Sequence, residues 1–143
     1  MPFSTEQLKM QAITLGFNIV GVTPASPSPT LNAYLAWIDN EMQGTMGYLA
    51  RPDRQIRRRD LNVILPGVKS MLLVGLDYRT LLPNSIRLKD PSRGRIASYA
   101  WGLDYHDVMT PRLEQLAQWL GEASGVPLSH RVYVDTGAIL ERS

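Results

Sequence analysis

Residues 70–76 read SMLLVGL, an apolar run that follows the turn signal Pro66-Gly67. A short apolar run bounded by turn residues is typical of a buried strand. The run is also far too short for a membrane helix, which needs about 20 apolar residues. We therefore predict that residues 70–76 form a strand in the core of a folded domain, with no membrane-spanning segment.

Two further elements are predicted on the N-terminal side of this strand. Ser4 and Gln7 match a capping-box pattern and Gly16 supplies a C-terminal stop, so we expect a first helix over about residues 5–15. Residues 17–22 are β-branched and are followed by a proline-rich stretch. This pattern favours a short strand that leads into a loop.

The remaining elements complete an alternating order. Thr30 is predicted to cap a second helix. Residues 51–69 are predicted to be an Arg-rich connection, and residues 106–121 a third helix that tolerates Pro111 only in its first turn. Residues 132–135 are predicted to form a last short strand. The order α-β-α-β-α-β indicates a sheet flanked by helices.

The composition excludes several classes of protein. Of the 143 residues, 44% are hydrophobic and 20% are charged, close to the averages of folded soluble domains. The chain has no cysteine, which excludes a disulfide framework, a zinc–thiolate site and an iron–sulfur cluster held by its own residues. Because the sequence shows no signal peptide and no membrane segment, we expect a cytoplasmic protein.

Positive charge is concentrated in the middle of the chain. Residues 51–95 contain nine arginines and two lysines against four aspartates, although the whole chain has a net charge of only +2. Guanidinium groups suit bidentate contacts to phosphate, so these arginines predict an anion- or nucleic-acid-binding surface. A solvated charged face is an equal alternative. The arginines concerned are Arg51, Arg54, Arg57, Arg58, Arg59, Arg93 and Arg95.

Asp135 is a candidate catalytic residue. It follows the apolar residues 132–134, and a carboxylate at the carboxyl end of a strand lies where open α/β sheets bind ligands. A partly desolvated carboxyl group there could act as a general acid. The alternative is that Asp135 caps a helix beginning near Ala138. The residue pattern by itself favours the cap.

Residues 99–106 bring several rings and a carboxylate together just before the third helix. Tyr99, Tyr105 and His106 could stack on a planar ligand while the imidazole donates or accepts a proton. The alternative is an aromatic surface patch. The chain has two histidines, which excludes a multi-histidine metal site, and we predict no metal ligands.

Several segments together resemble the N-terminal domain of the epoxyqueuosine reductase family, cobalamin-dependent iron–sulfur enzymes of queuosine biosynthesis in tRNA. No single segment is diagnostic, but they occur in the family's order along nearly the whole chain. The segments are LGF (15–17) with VGV (20–22), MGYL (46–49), RRD (58–60) with LPG (65–67), GRIASYA (94–100), GLDYH (102–106), and VDTG (134–137) with LER (140–142).

This resemblance implies an α+β fold with a mixed sheet flanked by helices, like the nitroreductase-like cobalamin domain of epoxyqueuosine reductases and reductive dehalogenases. Residues 1–143 would form the N-terminal catalytic and cobalamin-binding domain. The family continues with a ferredoxin-like domain that holds two [4Fe–4S] clusters. We therefore expect this chain to be a fragment that is inactive alone.

The resemblance also implies roles for individual residues. Asp135 would be the catalytic proton donor and would lie at the cofactor. Arg58, Tyr99, Tyr105 and His106 would contact cobalamin. The implied reaction is the reductive removal of the epoxide oxygen of epoxyqueuosine in the anticodon loop of tRNA.

Partners follow from this reaction. Arg57, Arg59 and Arg95 are predicted to contact phosphates of the anticodon stem-loop of tRNA. We further expect a reductant protein or a small-molecule electron donor, and a monomer that does not associate with membranes. Two alternative functions are a non-catalytic corrinoid-binding or tRNA-binding accessory domain, and a structural α/β domain whose arginines are solvated.

Overall fold

The computed structural model describes residues 4–79, 90–94, 96–137 and 139. The helices and strands in this part of the chain are α1 (Thr5–Thr14), β1 (Ile19–Pro24), α2 (Leu31–Asp39), α3 (Pro52–Arg59), β2 (Ser70–Gly75) and α4 (Tyr105–Ser124). Short 3-10 helices lie at Gly47–Leu49, Leu61–Val63 and Ser98–Ala100. The chain thus combines helices with a sheet, as predicted. Among the described residues this sheet has two antiparallel strands, β1 and β2, in place of the mixed sheet that was expected.

Two compact units make up the chain, each built from two separate stretches of sequence. Unit 1 comprises residues 1–21 and 73–128, and unit 2 comprises residues 22–72 and 129–143. The division falls within both β1 and β2. Helices α1 and α4 belong to unit 1, whereas α2 and α3 belong to unit 2.

Helix α1 begins and ends as its sequence predicts. The Ser4 hydroxyl accepts the N–H of Gln7 at 3.2 Å, and the Gln7 side chain accepts the N–H of Ser4 at 3.0 Å. At the other end Gly16 adopts a φ of 92°, and the N–H of Phe17 donates to the Ala12 carbonyl at 3.1 Å. This is the hydrogen bond of a Schellman motif. It turns the chain so that Phe17, 1% exposed, enters the core of unit 1.

Helix α4 is longer than predicted and continues through Pro111, which lies in its second turn. The expectation that Pro111 must stand in the first turn is therefore wrong. An interior proline costs about 3 kcal/mol because it lacks an N–H and crowds the preceding turn. Helix α4 packs against α1 and buries Leu116, which is 1% exposed, and burial of a leucine contributes about 1.5–3 kcal/mol. Gly125, at a φ of 68°, ends the helix.

In unit 2, the segment predicted as a connection contains helix α3. Its ends follow the rules for helix termini: Pro52 occupies the first turn with Asp53, and Arg57 to Arg59 occupy the last. Acidic residues at the start and basic residues at the end favour a helix through its dipole. Helix α3 packs against α2, and the buried apolar residues of this unit are Ile38, Leu61 and Val134.

Two other predictions in unit 2 are corrected. Thr30 precedes α2, but its side chain makes no capping bond and instead shares a 2.8 Å hydrogen bond with the Ser28 hydroxyl. Residues 132–135 do not form a strand. The backbone turns at Asp135, where φ is 55°, and a strand requires an extended backbone paired with a neighbour. Ala138, proposed as the start of a following helix, lies outside the described residues.

Candidate functional site

Unit 1 contains a surface cavity, which we call the aromatic hollow. It has a volume of about 320 Å³. Its lining includes all three residues of the 99–106 segment that the sequence predicts to contact a cofactor, namely Tyr99, Tyr105 and His106. The other lining residues are Ala100, Gly102, Leu103 and Asp104. The sequence-predicted aromatic cluster is thus brought together around one cavity.

The chain builds this hollow by a sequence of local turns. A 3-10 helix at Ser98–Ala100 presents Tyr99, and the indole N–H of Trp101 donates to the Ile96 carbonyl at 3.0 Å. Gly102 follows with a φ of 87°, a conformation that favours glycine. Nothing lies within 4 Å of the position that a side chain on Gly102 would occupy. The lining of the hollow therefore leaves open space beside the backbone of Gly102.

Asp104 links the hollow to helix α4. As the N-cap of α4, its Oδ1 accepts the backbone N–H of His106 at 2.8 Å and also lies 2.8 Å from His106 Nδ1. The backbone hydrogen bond from His106, together with the one from its ring, holds the pKa of Asp104 below its ordinary value. The ring of His106 lies 4.2 Å from that of Tyr105. The carboxylate thereby fixes the orientation of the imidazole at the rim of the cavity.

Asp135 belongs to unit 2 and lies in a tight turn, residues 133–137, which we call the Asp135 loop. The N–H of Thr136 donates to the Val134 carbonyl at 2.7 Å, which closes a three-residue turn around Asp135. Val134 is 7% exposed and anchors the loop, whereas the described residues leave Asp135 itself exposed, in place of the partly desolvated position that was expected. A φ of 55° differs from the extended backbone of an N-cap, which weighs against the capping interpretation of Asp135.

Arg54 on α3 contacts this loop from outside. Its Nη1 donates to the carbonyl of Thr136 at 3.3 Å and approaches the carbonyl of Gly137 at 3.5 Å. The sequence groups Arg54 with the arginines that are predicted to bind phosphate. In the structure its guanidinium is instead engaged with the backbone that follows Asp135.

The other arginines of this segment fall into separate environments. Arg58 is 8% exposed, and its guanidinium lies 4.2 Å above the ring of Tyr34. The Tyr34 hydroxyl in turn donates to the Leu49 carbonyl. Arg51 pairs with Asp53, with Nε and Oδ1 2.9 Å apart. The run of arginines is therefore not one uniform binding surface.

Arg57 and Arg59 are the exposed arginines in the last turn of α3. Their exposure is compatible with the predicted contact to nucleic acid. Arg95, the third residue of that prediction, lies outside the described residues. The arginines of residues 51–59 are neighbours in the sequence, but they do not share one role in the structure.

The described residues contain neither a membrane-crossing helix nor a cluster of metal ligands. None of their helices is both long enough and apolar enough to cross a membrane. No group of three or more His, Cys, Asp or Glu side chains in this part of the chain is arranged to hold a metal ion.

Comparison with known proteins identifies the family. The family model described as "Epoxyqueuosine reductase QueG, DUF1730" matches residues 58–136. The match begins at Arg58, contains the aromatic hollow and extends past Asp135. The chain belongs to the epoxyqueuosine reductase QueG family. The resemblance deduced from the sequence motifs is confirmed.

Individual members of the epoxyqueuosine reductase family match the chain over most of its length. The epoxyqueuosine reductase of Synechocystis is 38% identical over 127 residues, covering 87% of this chain and 41% of the relative. That of Escherichia coli is 33% identical over 141 residues, covering 96% of this chain and 36% of the relative. The chain therefore spans about two-fifths of the length of these relatives. No solved structure matches it significantly.

Sequence reasoning missed the structural roles of three residues. It grouped Arg54 with the arginines predicted to bind phosphate, gave Tyr34 no role, and did not assign Asp104 as the cap of α4. The signal for Asp104 was present, since an aspartate directly before a helical pattern is a common N-cap. The contacts of Arg54 and Tyr34 join positions far apart in sequence, which no local pattern reveals.

Proposed function

We propose that this chain provides the proton-donating and cobalamin-binding part of an epoxyqueuosine reductase. Its relatives carry that name, and both the aromatic hollow and Asp135 lie within the family match. The observation that carries the proposal is the exposed carboxyl group of Asp135 at the centre of a turn with a positive φ. Such backbone strain persists where the surroundings hold it, and it clusters at functional sites. The fold would be the nitroreductase-like domain shared with reductive dehalogenases.

The proposed role of Asp135 is to protonate the oxygen that leaves the epoxide. Removal of this oxygen by reduction produces negative charge on it, so an acid must stand within hydrogen-bond distance. The side chain of Asp135 is exposed, and the hydrogen bond from the Thr136 N–H to the Val134 carbonyl fixes the turn of the backbone around it. A donor fixed in this way meets a substrate with little reorganisation.

The aromatic hollow fits part of a planar ring. Its volume of about 320 Å³ is at the lower end of ligand pockets, which span roughly 300–1,000 Å³, so it would receive only a portion of a corrin. Tyr99, Tyr105 and His106 would hold that portion through their faces, and Gly102 would let it approach the backbone. When bound there, cobalamin would supply the reducing chemistry for the substrate.

Arg58 is proposed to have a structural role within unit 2. The resemblance suggests direct contact with cobalamin, but the guanidinium is buried over Tyr34. Arg58 would then fix the position of α3 within unit 2. Arg57 and Arg59 on that helix would contact phosphates of the tRNA anticodon stem-loop. A tRNA substrate would also place the protein in the cytoplasm.

Electrons for this reaction would come from outside the chain. The [4Fe–4S] clusters of the family need cysteine thiolates, and these 143 residues contain none. A cluster-bearing segment or protein, reduced by a protein or small-molecule donor, would therefore act with this chain. Without it we expect no turnover.

The test is Asp135→Asn, introduced in the native protein and assayed with tRNA that carries epoxyqueuosine. The amide preserves the shape of the side chain but provides no acidic proton, so single-turnover reduction should slow by about 100-fold or more. Cobalamin binding, followed by visible absorbance, should not change. Asp39→Asn is the matched control, because Asp39 is exposed on α2 of the same unit.

The result that would refute the assignment is an unchanged rate in Asp135→Asn. If that variant also bound cobalamin or tRNA normally, the non-catalytic accessory function would be favoured. A rate that falls in Asp39→Asn as well would indicate a general effect of charge.

A further inference from the structure

We propose that Arg54 is a positioning residue that holds the Asp135 loop in its catalytic conformation. This inference rests on the proposed function of Asp135 as the proton donor. It assigns to one arginine of the basic segment a task other than binding nucleic acid.

The geometry of Arg54 carries the inference. Its Nη1 reaches the carbonyl oxygens of the two residues that follow Asp135, at 3.3 Å for Thr136 and 3.5 Å for Gly137. The side chain is half-buried, and it bridges positions 82 residues apart. A guanidinium presents several donors in a rigid plane, so it can serve two neighbouring carbonyls at once.

The loop requires such a contact because its central residue is strained. Asp135 has a positive φ, which an L residue rarely adopts unless its surroundings impose it. On one side Val134 is buried. On the other, the ring of Tyr133 packs close to Gly137, where an added side-chain carbon would lie 3.2 Å from the ring. Arg54 completes this arrangement by fixing the carbonyls beyond Asp135.

The local charges favour a mechanical role for Arg54 over a purely electrostatic one. Arg57 and Arg59 lie on the same helix and are exposed, so α3 would remain positively charged without Arg54. Arg51 is exposed near the start of α3 and is paired with Asp53. Arg51→Gln therefore removes the same charge from the same segment without touching the loop. It is the matched control.

The first experiment measures the loop itself in the 143-residue chain. Amide hydrogen exchange of Thr136, whose N–H closes the turn, should become at least about tenfold faster in Arg54→Gln than in the wild type. Arg51→Gln should exchange at the wild-type rate. Arg54→Lys keeps the charge and can reach one carbonyl, so its exchange rate should be intermediate. Equal exchange rates in Arg54→Gln and Arg51→Gln would overturn the proposal, and Arg54→Lys decides the question if Arg54→Gln does not fold.

The second experiment measures epoxyqueuosine reduction by the protein acting with its cluster-bearing segment or partner. Misplacement of the acid should lower kcat by about tenfold to 100-fold in Arg54→Gln while KM for tRNA stays constant. Added to Asp135→Asn, the Arg54→Gln change should have no further effect on kcat, because the group that it positions is already gone. A raised KM with a smaller salt dependence would instead make Arg54 a phosphate ligand and overturn the proposal. If Asp135→Asn alone retained full activity, the proposed function would fail, whereas the exchange result for the loop would stand.

Discussion

A single oxygen of Asp104 contacts both the backbone and the ring of His106. Oδ1 lies 2.8 Å from the main-chain nitrogen of His106 and 2.8 Å from its Nδ1. Since the pKa of Asp104 is lowered, the side chain is a carboxylate near neutral pH and can only accept hydrogen bonds. Nδ1 of His106 must therefore carry a hydrogen, and in the neutral ring Nε2 is then the nitrogen that can accept one.

The lowered pKa of Asp104 predicts a loss of stability in acid. A carboxyl group whose folded pKa lies below the ordinary value of 3.8 stabilises the fold above that value, and the contribution disappears as the pH falls through the folded pKa. Thermal unfolding measured from neutral to strongly acidic pH should show a smaller acid-induced decrease in Tm for Asp104→Asn than for the wild type. Asp60 and Asp90 have lowered pKa values too, so the difference between the two proteins isolates Asp104. Equal pH dependence would contradict the prediction.

The contact between Arg58 and Tyr34 should be measurable as a coupling energy. A cation over an aromatic face contributes about 0.5–2 kcal/mol, depending on how far it is desolvated, and Arg58 is largely buried. Denaturant unfolding of Arg58→Met, Tyr34→Leu and the double variant should give a coupling in this range. Arg57→Met, on the exposed side of α3, should show coupling to Tyr34→Leu of less than about 0.5 kcal/mol. Additive effects at Arg58 and Tyr34 would exclude the interaction.

The salt dependence of tRNA binding should depend on Arg57 and Arg59 together. Each phosphate contact that is lost reduces the slope of log affinity against log salt by about 0.7–0.9. Replacing both residues by Gln should therefore flatten the slope for an anticodon stem-loop by roughly 1.4–1.8. Arg51→Gln should leave the slope unchanged, because Asp53 already holds that guanidinium. A slope that stays the same in the double variant would make this end of α3 a solvated face.

Two glycine-to-alanine substitutions should change stability in opposite directions. Gly16 has a φ of 92°, and a Cβ there would lie 2.9 Å from the Arg112 guanidinium, so Gly16→Ala should destabilise unit 1 by at least about 1–2 kcal/mol. Gly121 lies inside α4 with nothing within 4 Å of its Cβ position. Gly121→Ala should stabilise the protein by about 0.5–1 kcal/mol. Urea unfolding of both variants measures these changes in the free energy of unfolding. An unchanged free energy of unfolding in Gly16→Ala would contradict the role of the positive φ.

Local signals in the sequence were sufficient for some elements. The capping box of Ser4 and Gln7 and the stop at Gly16 lie within one or two turns of the helix that they delimit, so α1 could be located closely. The clustering of the rings at 99–106 could be predicted for a similar reason, because these residues are contiguous in the sequence.

Interactions between distant parts of the chain account for what was missed. Residues 132–135 have the composition of a strand, but a strand also needs a partner, and here the backbone turns at Asp135 instead. Helix α3 was not predicted, because a dense run of arginines is more readily interpreted as a solvated or ligand-binding segment than as a helix. The burial of Arg58 depends on Tyr34, a residue of another helix.

The division of each unit between two stretches of sequence has a consequence for the protein during its synthesis. Helix α1 leaves the ribosome about ninety residues ahead of α4, the helix against which it packs. At roughly 5–20 residues per second, α1 must wait on the order of 5–20 s before its partner exists. Through that interval Leu8 and Ala12 have no core to enter, so the nascent chain offers an apolar helix face to chaperones or to neighbouring nascent chains.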